Sequence, residues 1–459
     1  MAKIFQRIEK NNYAAKGAAV AAGHGFDGWF QTNMGTMAQA RAGGLTGNKV
    51  MAGYAKEWNL TDPMASLLTR DSNDIANPNR DQTSSIYGLV THQYVNGNRY
   101  SSRDYIQAAV AENKYNLTVS ISSLATKVLF DKAGGACGES QPRAIGVEFL
   151  QGKSIYGADR RKAAGATGTK KTVLARREVI VAGGAFNSPQ ILQLSGIGNA
   201  TELTKLGITV VKDLPGVGAH LMDNQEMPIV GSGSGGSGTA GVAMLKTKHP
   251  AHGERDMFLM GGQGFLFRGF WPNEAVRTPQ DPRQPYGVSM VKGSSVNSGG
   301  WVKIRSADPQ VPPEINFNHY ANGKEYDMEA MKDVIKMVRK IYLDIGVKPV
   351  EPPCSKDFDA DFGCGKEDDE WIHKQTFGHH PTSTNKIGAD NDPLAVLDSK
   401  FRVRGVAGLR VVDASAFARI PGVFPAISTF LISQKASDDM LDELKAGKAI
   451  KQCTAAPAA

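Results

Sequence analysis

The spacing of apolar residues predicts two long amphipathic helices in the second half of the chain. In the first, over residues 327–345, the apolar positions recur three and four residues apart, as on one face of a helix. These positions are Met328, Met331, Val334, Ile335, Val338, Ile341 and Tyr342. The methionines are interpreted as core residues. The second helix follows Pro425, and its predicted inward positions are Ile427, Phe430, Leu431, Met440, Leu441 and Leu444. From residue 446 the chain becomes a polar, frayed tail.

Runs rich in β-branched residues predict strands between residues 117 and 181. Four such runs cover residues 117–121, 126–130, 144–149 and 178–181,. The basic, small-residue stretch over 154–171 is expected to be an exposed hairpin tip or loop. The first hundred residues are rich in glycine and alanine and only weakly periodic, so an irregular region is predicted there.

A glycine turn and a helix follow the last of these strands. Ser188 is predicted to be the N-cap of this helix, with Pro189 at its first position and Gly196 ending it,. Such a helix start offers backbone N–H groups to an anion. An ordinary strand-to-helix turn, with glycines for tight packing, fits the same residues.

Two segments match the G-x-G-x-x-G pattern, at residues 23–28 and 231–236. Neither has the strand before it and the helix after it that a dinucleotide-binding fingerprint requires. The first follows an alanine-rich stretch and leads into a strand-like run, and the second lies in a Gly/Ser-rich stretch typical of a flexible loop. We therefore expect neither to bind phosphate.

Length, composition and charge describe a globular chain whose basic excess an anionic ligand would explain. Its 459 residues favour two joined domains over one core,. The net charge of +8 is dispersed without a basic tract, so no nucleic-acid partner is expected,. No apolar run is long enough to span a bilayer, so no membrane partner is expected either. The sequence leaves the oligomeric state open.

Markers of compartment are weak in the sequence. Residues 1–12 lack the apolar core of a signal peptide, so the cytoplasm is the default expectation,. Asparagine-glycosylation motifs begin at Asn59, Asn116 and Asn199, but without a recognisable leader they carry little weight,. Of the four cysteines, Cys354 and Cys364 are close enough in sequence to close a small loop if oxidised, which the spacing does not decide,.

Candidate chemistry is concentrated near the C-terminus. His379 and His380 precede Pro381, and a predicted strand over residues 409–412 leads to Asp413. An imidazole titrates near neutrality and can accept an alcohol proton. A metal site is not expected, because adjacent histidines do not easily bind one ion and no ligand spacing accompanies them.

These residues resemble the glucose-methanol-choline (GMC) flavin oxidoreductases. Residues 184–198, reading Gly-Ala-Phe-Asn-Ser-Pro-Gln-Ile-Leu-Gln-Leu-Ser-Gly-Ile-Gly, are similar to a signature of that family. The run Leu-Pro-Gly-Val-Gly-Ala-His-Leu-Met-Asp-Asn over 214–224 follows at the expected place. Residues 297–309 are similar to a strand pair of the family's substrate domain, and His380-Pro381 with 413–415 to its C-terminal part. The resemblance extends from about residue 85 to about residue 442.

The resemblance implies an α/β (α+β) fold and FAD as cofactor. It implies a discontinuous FAD-binding domain interleaved with a substrate domain on a large antiparallel sheet. The corresponding division is an irregular N-terminal remnant, an FAD-binding part, a substrate domain, a second FAD-binding part and a tail, over residues 1–110, 111–226, 227–378, 379–445 and 446–459. Enzymes of this kind oxidise an alcohol by hydride transfer to flavin, so a small organic substrate is expected.

The resemblance also assigns roles to single residues. His380 corresponds to the base that removes the hydroxyl proton, and His379 is interpreted as a structural hydrogen-bonding residue. Phe424 occupies the position of the second catalytic residue. The cofactor-binding positions are Ala125, Ser188, Asp413, Ala414 and Pro425. Arg419 is a further catalytic candidate, with a surface or flavin-phosphate contact as the alternative.

Two departures from the family pattern leave other functions open. The family's N-terminal dinucleotide-binding unit is expected to be missing, because residue 1 already corresponds to a position beyond it. Phe424 replaces a histidine or asparagine and offers no hydrogen bond, which is expected to cost about 1–3 kcal/mol in the transition state. The alternatives are therefore a non-catalytic binding module and a flavin-containing lyase.

Overall fold

The chain is organised as two compact units, neither of which is continuous in sequence. The computed structural model describes residues 1–18, 23–43, 47–234, 241–269, 281–448 and 453. Unit 1 contains Met1–Leu117, Asn224–Val296 and Gly323–His379. Unit 2 contains Thr118–Asp223, Asn297–Asn322 and His380–Ala459. Residues 1–110 thus lie in the same unit as most of the predicted substrate domain, whereas residues 297–322 lie in the other unit. The sequence predicted neither assignment.

The helices and strands of the described residues are as follows. The helices are α1 (Ala2–Ile8), α2 (Gly35–Arg41), α3 (Lys49–Glu57), α4 (Met64–Leu67), α5 (Ser102–Glu112), α6 (Gly184–Leu194), α7 (Ala200–Lys205), α8 (Lys324–Asp344), α9 (Lys366–Gln375) and α10 (Ala426–Lys445). The strands are β1 (Glu9–Asn11), β2 (Phe30–Met34), β3 (Ser85–Tyr87), β4 (Val90–Thr91), β5 (Ser123–Asp131), β6 (Arg143–Gln151), β7 (Thr169–Leu174), β8 (Val179–Val181), β9 (Ile197–Gly198), β10 (Lys212–Asp213), β11 (Glu226–Ser232), β12 (Val242–Leu245), β13 (Met257–Gln263), β14 (Pro285–Lys292), β15 (Trp301–Lys303), β16 (Glu314–Asn316), β17 (Lys348–Glu351) and β18 (Leu409–Val411).

Unit 1 is built on a six-stranded antiparallel sheet. Its strand order is β17-β11-β14-β13-β12-β3. Every residue of β14 is buried, and α8 packs against the sheet through Tyr342, whose hydroxyl donates to Tyr286 O at 2.8 Å. Met328 and Met331 of α8 are buried, as the helical period predicted. The mixed α/β fold with a large antiparallel sheet is confirmed.

The N-terminal region of unit 1 is more regular than predicted. It contains α1 to α5 and a small sheet in which β2 pairs with β1 and β4. Asn48 caps α3 by accepting a hydrogen bond from Met51 N at 2.8 Å. Asp104 in the first turn of α5 accepts from Ser101 N at 2.8 Å. These caps compensate for weak apolar periodicity, because they satisfy N–H groups that the helix itself leaves unpaired.

A buried polar cluster connects β1 to the first G-x-G-x-x-G segment. His24 Nδ1 lies 2.9 Å from Glu9 Oε2, and its Nε2 lies 3.1 Å from Asp71 Oδ2. Both carboxylates are almost fully buried. A Cβ on Gly25 would lie 1.8 Å from Gln6 O, so glycine is required for this close approach of the chain to α1,. The glycines of this segment serve packing, whereas residues 235 and 236 of the second segment lie outside the described residues.

Unit 2 combines small sheets around one apolar core. β5, β6 and β7 form an antiparallel sheet, and β18 pairs in parallel with β8. The core includes Val181, Leu192, Leu397, Phe401 and Val411. The strands predicted over 126–130, 144–149 and 178–181 correspond to β5, β6 and β8.

Two predictions for unit 2 and its N-terminal boundary are wrong. Residues 117–121 form no strand, because their side chains are exposed and no neighbouring segment pairs with them among the described residues. In α10, Leu441 and Leu444 are exposed by 51% and 49%. The buried position of that turn is taken by Glu443, which accepts a hydrogen bond from Arg410 Nη2 at 2.7 Å. Ion pairing therefore decides which face of the helix is covered.

All four cysteines are paired. Cys354 and Cys364 form the small loop that their spacing allowed, and Cys137 pairs with Cys453. The second pair was not predicted, because its cysteines are 316 residues apart. The rest of the predicted tail beyond residue 448 lies outside the described residues.

The His24 cluster makes the stability of the protein depend on pH. Burial lowers the pKa of His24, but hydrogen bonds to Asp71 and Glu9 outweigh it and raise this pKa from 6.5 to about 9. The imidazolium therefore stabilises the folded state fully below pH 6.5, and this contribution is lost as pH rises through about 9,. We expect His24→Gln to lower the free energy of unfolding by about 3–5 kcal/mol at pH 6, because two buried carboxylates lose their cation. Urea unfolding at several pH values measures this difference.

The matched control is His252→Gln, which changes an exposed histidine of the same unit. It should leave the unfolding midpoint nearly unchanged. The difference between wild type and His24→Gln should shrink toward alkaline pH, and a difference that stays constant up to pH about 9.5 would contradict the role given to His24.

Candidate active site

The segment containing His380 is held on two sides by backbone hydrogen bonds within unit 2. Thr382 and Met222 bond to each other through two N–H···O contacts of 2.9 and 3.2 Å. On the other side, Ser383 N donates to Ala414 O at 3.1 Å. The side chains over 382–385 are fully buried. The position of the residue before Pro381 is therefore fixed by the surrounding chain and not by a flexible turn.

His380 is buried and its surroundings are specific. Its backbone N–H donates to Asp223 Oδ1 at 2.8 Å. Its ring meets the ring of Phe424 edge to face, with centroids 5.0 Å apart and planes at 88°. Phe424 is 41% exposed and has a φ of +56°, a left-handed conformation that is rare for a bulky residue,. The structure thus brings the predicted base and the predicted second position into direct contact.

Asp413 connects the end of β18 to the start of α6. One carboxylate oxygen accepts from Ser415 N at 2.8 Å. The other accepts from Ser188 Oγ at 2.5 Å and from Gly184 N at 3.0 Å. The start of α6 therefore already binds a carboxylate of the protein itself. Of the two interpretations of this turn, the geometry favours the one without an external anion.

The helix also begins earlier than predicted. Its first residue is Gly184, so Ser188 and Pro189 lie inside it. Proline has no N–H to donate to the carbonyl four residues before it, which here belongs to Ala185. That carbonyl instead accepts a hydrogen bond from Thr384 Oγ1 at 2.7 Å. A side chain of the His380 segment therefore stabilises a proline within the helix.

The remaining predicted site residues of unit 2 lie on different elements. Ala414 contacts the His380 segment through its carbonyl, as described above. Pro425 is the N-cap of α10, and its carbonyl accepts from Thr429 N at 2.8 Å. Arg419 is exposed in the loop before α10, and Ala125 lies in β5 opposite Phe149. β5 belongs to a different sheet from β8 and β18.

His379 belongs to unit 1 and contacts a buried acid there. Its Nδ1 lies 3.2 Å from Glu226 Oε2. Glu226 also accepts from Ser289 Oγ at 2.6 Å. Burial raises the pKa of Glu226 from 4.5 to about 7, against the opposing effect of that hydrogen bond. Burial also lowers the pKa of His379. The contact is an ion pair only when the imidazole is protonated, and the hydrogen-bonding role expected for His379 stays a prediction.

Sequence reasoning missed Asp223 and Glu226. A buried acid with a raised pKa is a candidate functional residue. The available signal was a carboxylate directly before the apolar run 227–230, since charged residues are rarely buried without a partner,. Asp223 had no such signal, because its partner is a backbone N–H distant in sequence.

Sequence models of one family match the chain over more than half its length. Both are described as GMC oxidoreductase, one over residues 68–238 and the other over 296–433. The chain belongs to the GMC oxidoreductase family. The resemblance that the sequence motifs indicated is thereby confirmed.

Choline dehydrogenases are among the similar curated proteins. The mitochondrial choline dehydrogenase of Homo sapiens is 31% identical over 385 residues, which cover 77% of this chain and 58% of that protein. The oxygen-dependent choline dehydrogenase of Stenotrophomonas maltophilia (strain K279a) is 31% identical over 364 residues, covering 74% of this chain and 59% of the relative. The chain thus spans less than two thirds of these relatives.

Solved structures share the GMC fold at lower identity. Formate oxidase superposes with a TM-score of 0.71 at 20% identity, covering 97% of this chain and 78% of that one. Pyridoxine 4-oxidase from Mesorbium loti has a TM-score of 0.67 at 18% identity, with coverages of 96% and 76%. At such identities the likeness concerns the fold. Enzymes of this family are flavoproteins that contain FAD, as the sequence predicted. One similar solved structure is that of an FAD-dependent oxidoreductase from Chaetomium thermophilum.

Membrane-spanning helices are absent from the part of the chain that the structure describes. None of its helices combines the length and the apolar character needed to cross a bilayer.

Replacing Glu226 should change how stability depends on pH. Because burial raises the folded-state pKa of Glu226 to about 7, the folded protein loses stability as pH rises from 4.5 to about 7,. Glu226→Gln does not titrate, so its stability relative to wild type should improve by about 2–3 kcal/mol between pH 5 and pH 8. Urea unfolding at both pH values measures this. Glu254→Gln, at an exposed carboxylate of the same unit, is the control, and an equal effect of Glu226→Gln at both pH values would contradict the prediction.

Proposed function

We propose that this chain is an FAD-dependent oxidoreductase acting on the CH–OH group of a small organic alcohol, with His380 as the proton acceptor. The observation that carries the proposal is the buried imidazole of His380, whose ring contacts Phe424 and whose backbone N–H donates to Asp223. Membership of the GMC oxidoreductase family supports the reaction class. The names of the choline dehydrogenases support an alcohol as the substrate.

The local geometry explains how His380 would act. The hydrogen bond from its backbone N–H to Asp223 and the edge contact with Phe424 restrict the main chain and the ring. An imidazole restricted in this way can accept a hydroxyl proton without first reorganising. FAD, when bound, would supply the acceptor for the hydride that leaves the carbon bearing this hydroxyl.

The described residues fit the ring end of FAD better than its phosphate end. The segment 382–385 offers buried polar groups close to His380 in the chain. Asn385 Oδ1 is a buried acceptor without a hydrogen-bond partner in the described part of the chain, and such an atom can accept from a ring N–H,. The start of α6, in contrast, is filled by the carboxylate of Asp413 and is unsuited to a pyrophosphate,. Ala125, Ser188 and Pro425 remain proposed cofactor-side positions, and Arg419 remains a proposed site residue.

The occupation of the start of α6 by the Asp413 carboxylate favours a second candidate function. A protein without a phosphate site would retain the fold but not the cofactor, and it would act as a binding module. The two candidates differ in whether the purified protein shows visible flavin absorbance.

Spectroscopy of the wild type and of His380→Ala tests the proposal. We expect the wild type to be yellow, either as purified or after incubation with FAD, and to be bleached by its substrate in a panel of alcohols that includes choline. His380→Ala should keep the flavin absorbance and reduce the flavin about 10²- to 10⁴-fold more slowly, because the hydroxyl proton loses its acceptor. Anaerobic stopped-flow absorbance measures this rate.

His252→Ala, at an exposed histidine, is the matched control and should behave like the wild type. Protein that stays colourless with added FAD would overturn the enzyme proposal and favour the binding module. A yellow His380→Ala variant that is reduced at the wild-type rate would leave the enzyme proposal standing but refute His380 as the base.

Replacing Phe424 should improve catalysis if His380 is the base. Asparagine tolerates a φ of +56° better than phenylalanine and adds a hydrogen-bonding group beside the imidazole,. A new hydrogen bond to the substrate oxygen is worth about 1–3 kcal/mol, so we expect Phe424→Asn to raise kcat about tenfold. Phe424→Leu, which keeps an apolar side chain, is the control. If kcat is equal in the asparagine and leucine variants, the residue at this position has no polar role.

A further inference from the structure

Both disulfides have the Cα separations of bonded cysteines, and together they use every cysteine of the chain,. The Cα atoms of Cys137 and Cys453 are 5.6 Å apart, and those of Cys354 and Cys364 are 5.8 Å apart. Cys453 N also donates to Arg176 O at 2.9 Å, a further contact of its main chain with the same unit. Structural disulfides are rare in reducing compartments and common in secreted and luminal proteins. The disulfides therefore make modification of the three glycosylation motifs more plausible than the sequence alone did.

All three motifs are accessible to a modifying enzyme. Asn59, Asn116 and Asn199 are exposed, and so are the threonines two residues after each of them. In none of the three is the middle residue proline, which would block the modification,. The folded surface therefore hides none of these sites.

The local backbone distinguishes Asn116 from the other two. Residues 116–121 form no helix, strand or turn, and every one of them is exposed. Asn59, in contrast, ends α3 in a left-handed conformation with a φ of +51°. The side chain of Asn199 caps α7 by accepting from Glu202 N at 3.1 Å. An acceptor asparagine must enter a transferase with its threonine on an open strand of chain, and only the segment at Asn116 has this form when folded.

We propose that Asn116 is an N-glycosylation site and that the chain folds in an oxidising compartment. In the transfer, Nδ2 of Asn116 forms a bond to the anomeric carbon of a lipid-pyrophosphate-linked oligosaccharide. The bond from that carbon to the pyrophosphate oxygen breaks, the lipid pyrophosphate leaves, and Nδ2 loses one proton. Forming the two disulfides removes four electrons and four protons from four thiols, which oxidised dithiol catalysts accept by thiol–disulfide exchange. The proposal is independent of the redox reaction at His380.

Mass spectrometry of the full chain from its natural source tests the proposal. Peptide-N-glycosidase in heavy-oxygen water converts a glycosylated asparagine to labelled aspartate, which we expect at Asn116. Alkylation without a reductant should label none of the four cysteines, and alkylation after reduction should label all of them. An unlabelled Asn116 peptide, or cysteines that are alkylated without reduction, would overturn the proposal.

Variants of the full chain, secreted from a eukaryotic host, separate the sites. Asn116→Gln and Thr118→Ala should each remove the same glycan-sized mobility step, whereas Thr118→Ser keeps the motif and should keep the step. Thr201→Ala removes the motif at Asn199 but leaves the Asn199 cap intact, so it controls for folding. If the step persists in Asn116→Gln and disappears in Thr201→Ala, the assignment to Asn116 is refuted.

Discussion

The carboxylate of Asp413 is the constraint on which the arrangement of unit 2 depends. Asp413 follows β18 by two residues. Its carboxylate caps the turn over Ala414–Ala416 and binds the start of α6 through Ser188 and Gly184. Without it, the O–H of the buried Ser188 and the N–H of Gly184 would lose their acceptor, at about 1–3 kcal/mol for each group,. The turn that it fixes also presents the carbonyl of Ala414 to the His380 segment. The position of the candidate base therefore follows from a carboxylate that is distant from it along the chain.

The surroundings of His380 reflect this indirect positioning. Backbone groups hold the segment, and the Thr384 hydroxyl contributes by satisfying the carbonyl that Pro189 leaves unpaired in α6. The ring itself meets an aromatic neighbour, Phe424, in a strained left-handed conformation. Strain of this kind persists only where the surrounding structure imposes it, and it is concentrated at functional sites. A hydrogen-bonding residue would suit the same backbone better, so the phenylalanine is a feature of this site and not a requirement of the fold.

Sequence reasoning succeeded where one local pattern determined the result. α8 followed from apolar spacing alone, and β5, β6 and β8 from β-branched runs. It failed where a distant group decided the outcome. Leu444 of α10 is exposed and Glu443 is buried, because Glu443 forms an ion pair with Arg410. The start of α6 was misplaced because Pro189 is normally found in the first turn, and its stabilisation by Thr384 is not visible in local sequence.

The candidate site shows the same limit. The identities of His380, Phe424 and Asp413 came from motifs, and Asp413 had been given a cofactor role. Its carboxylate accepts three hydrogen bonds from the protein, two of them at the helix start that resembled an anion site, and its cofactor role stays a prediction. A helix terminus stabilises one anion effectively, and that place is already taken by a side chain of the same chain. We therefore expect a ligand of unit 2 to bind at the His380 segment and the turn after β18, where the polar groups are buried and fixed, and not at the glycine-rich turn that resembles a phosphate site.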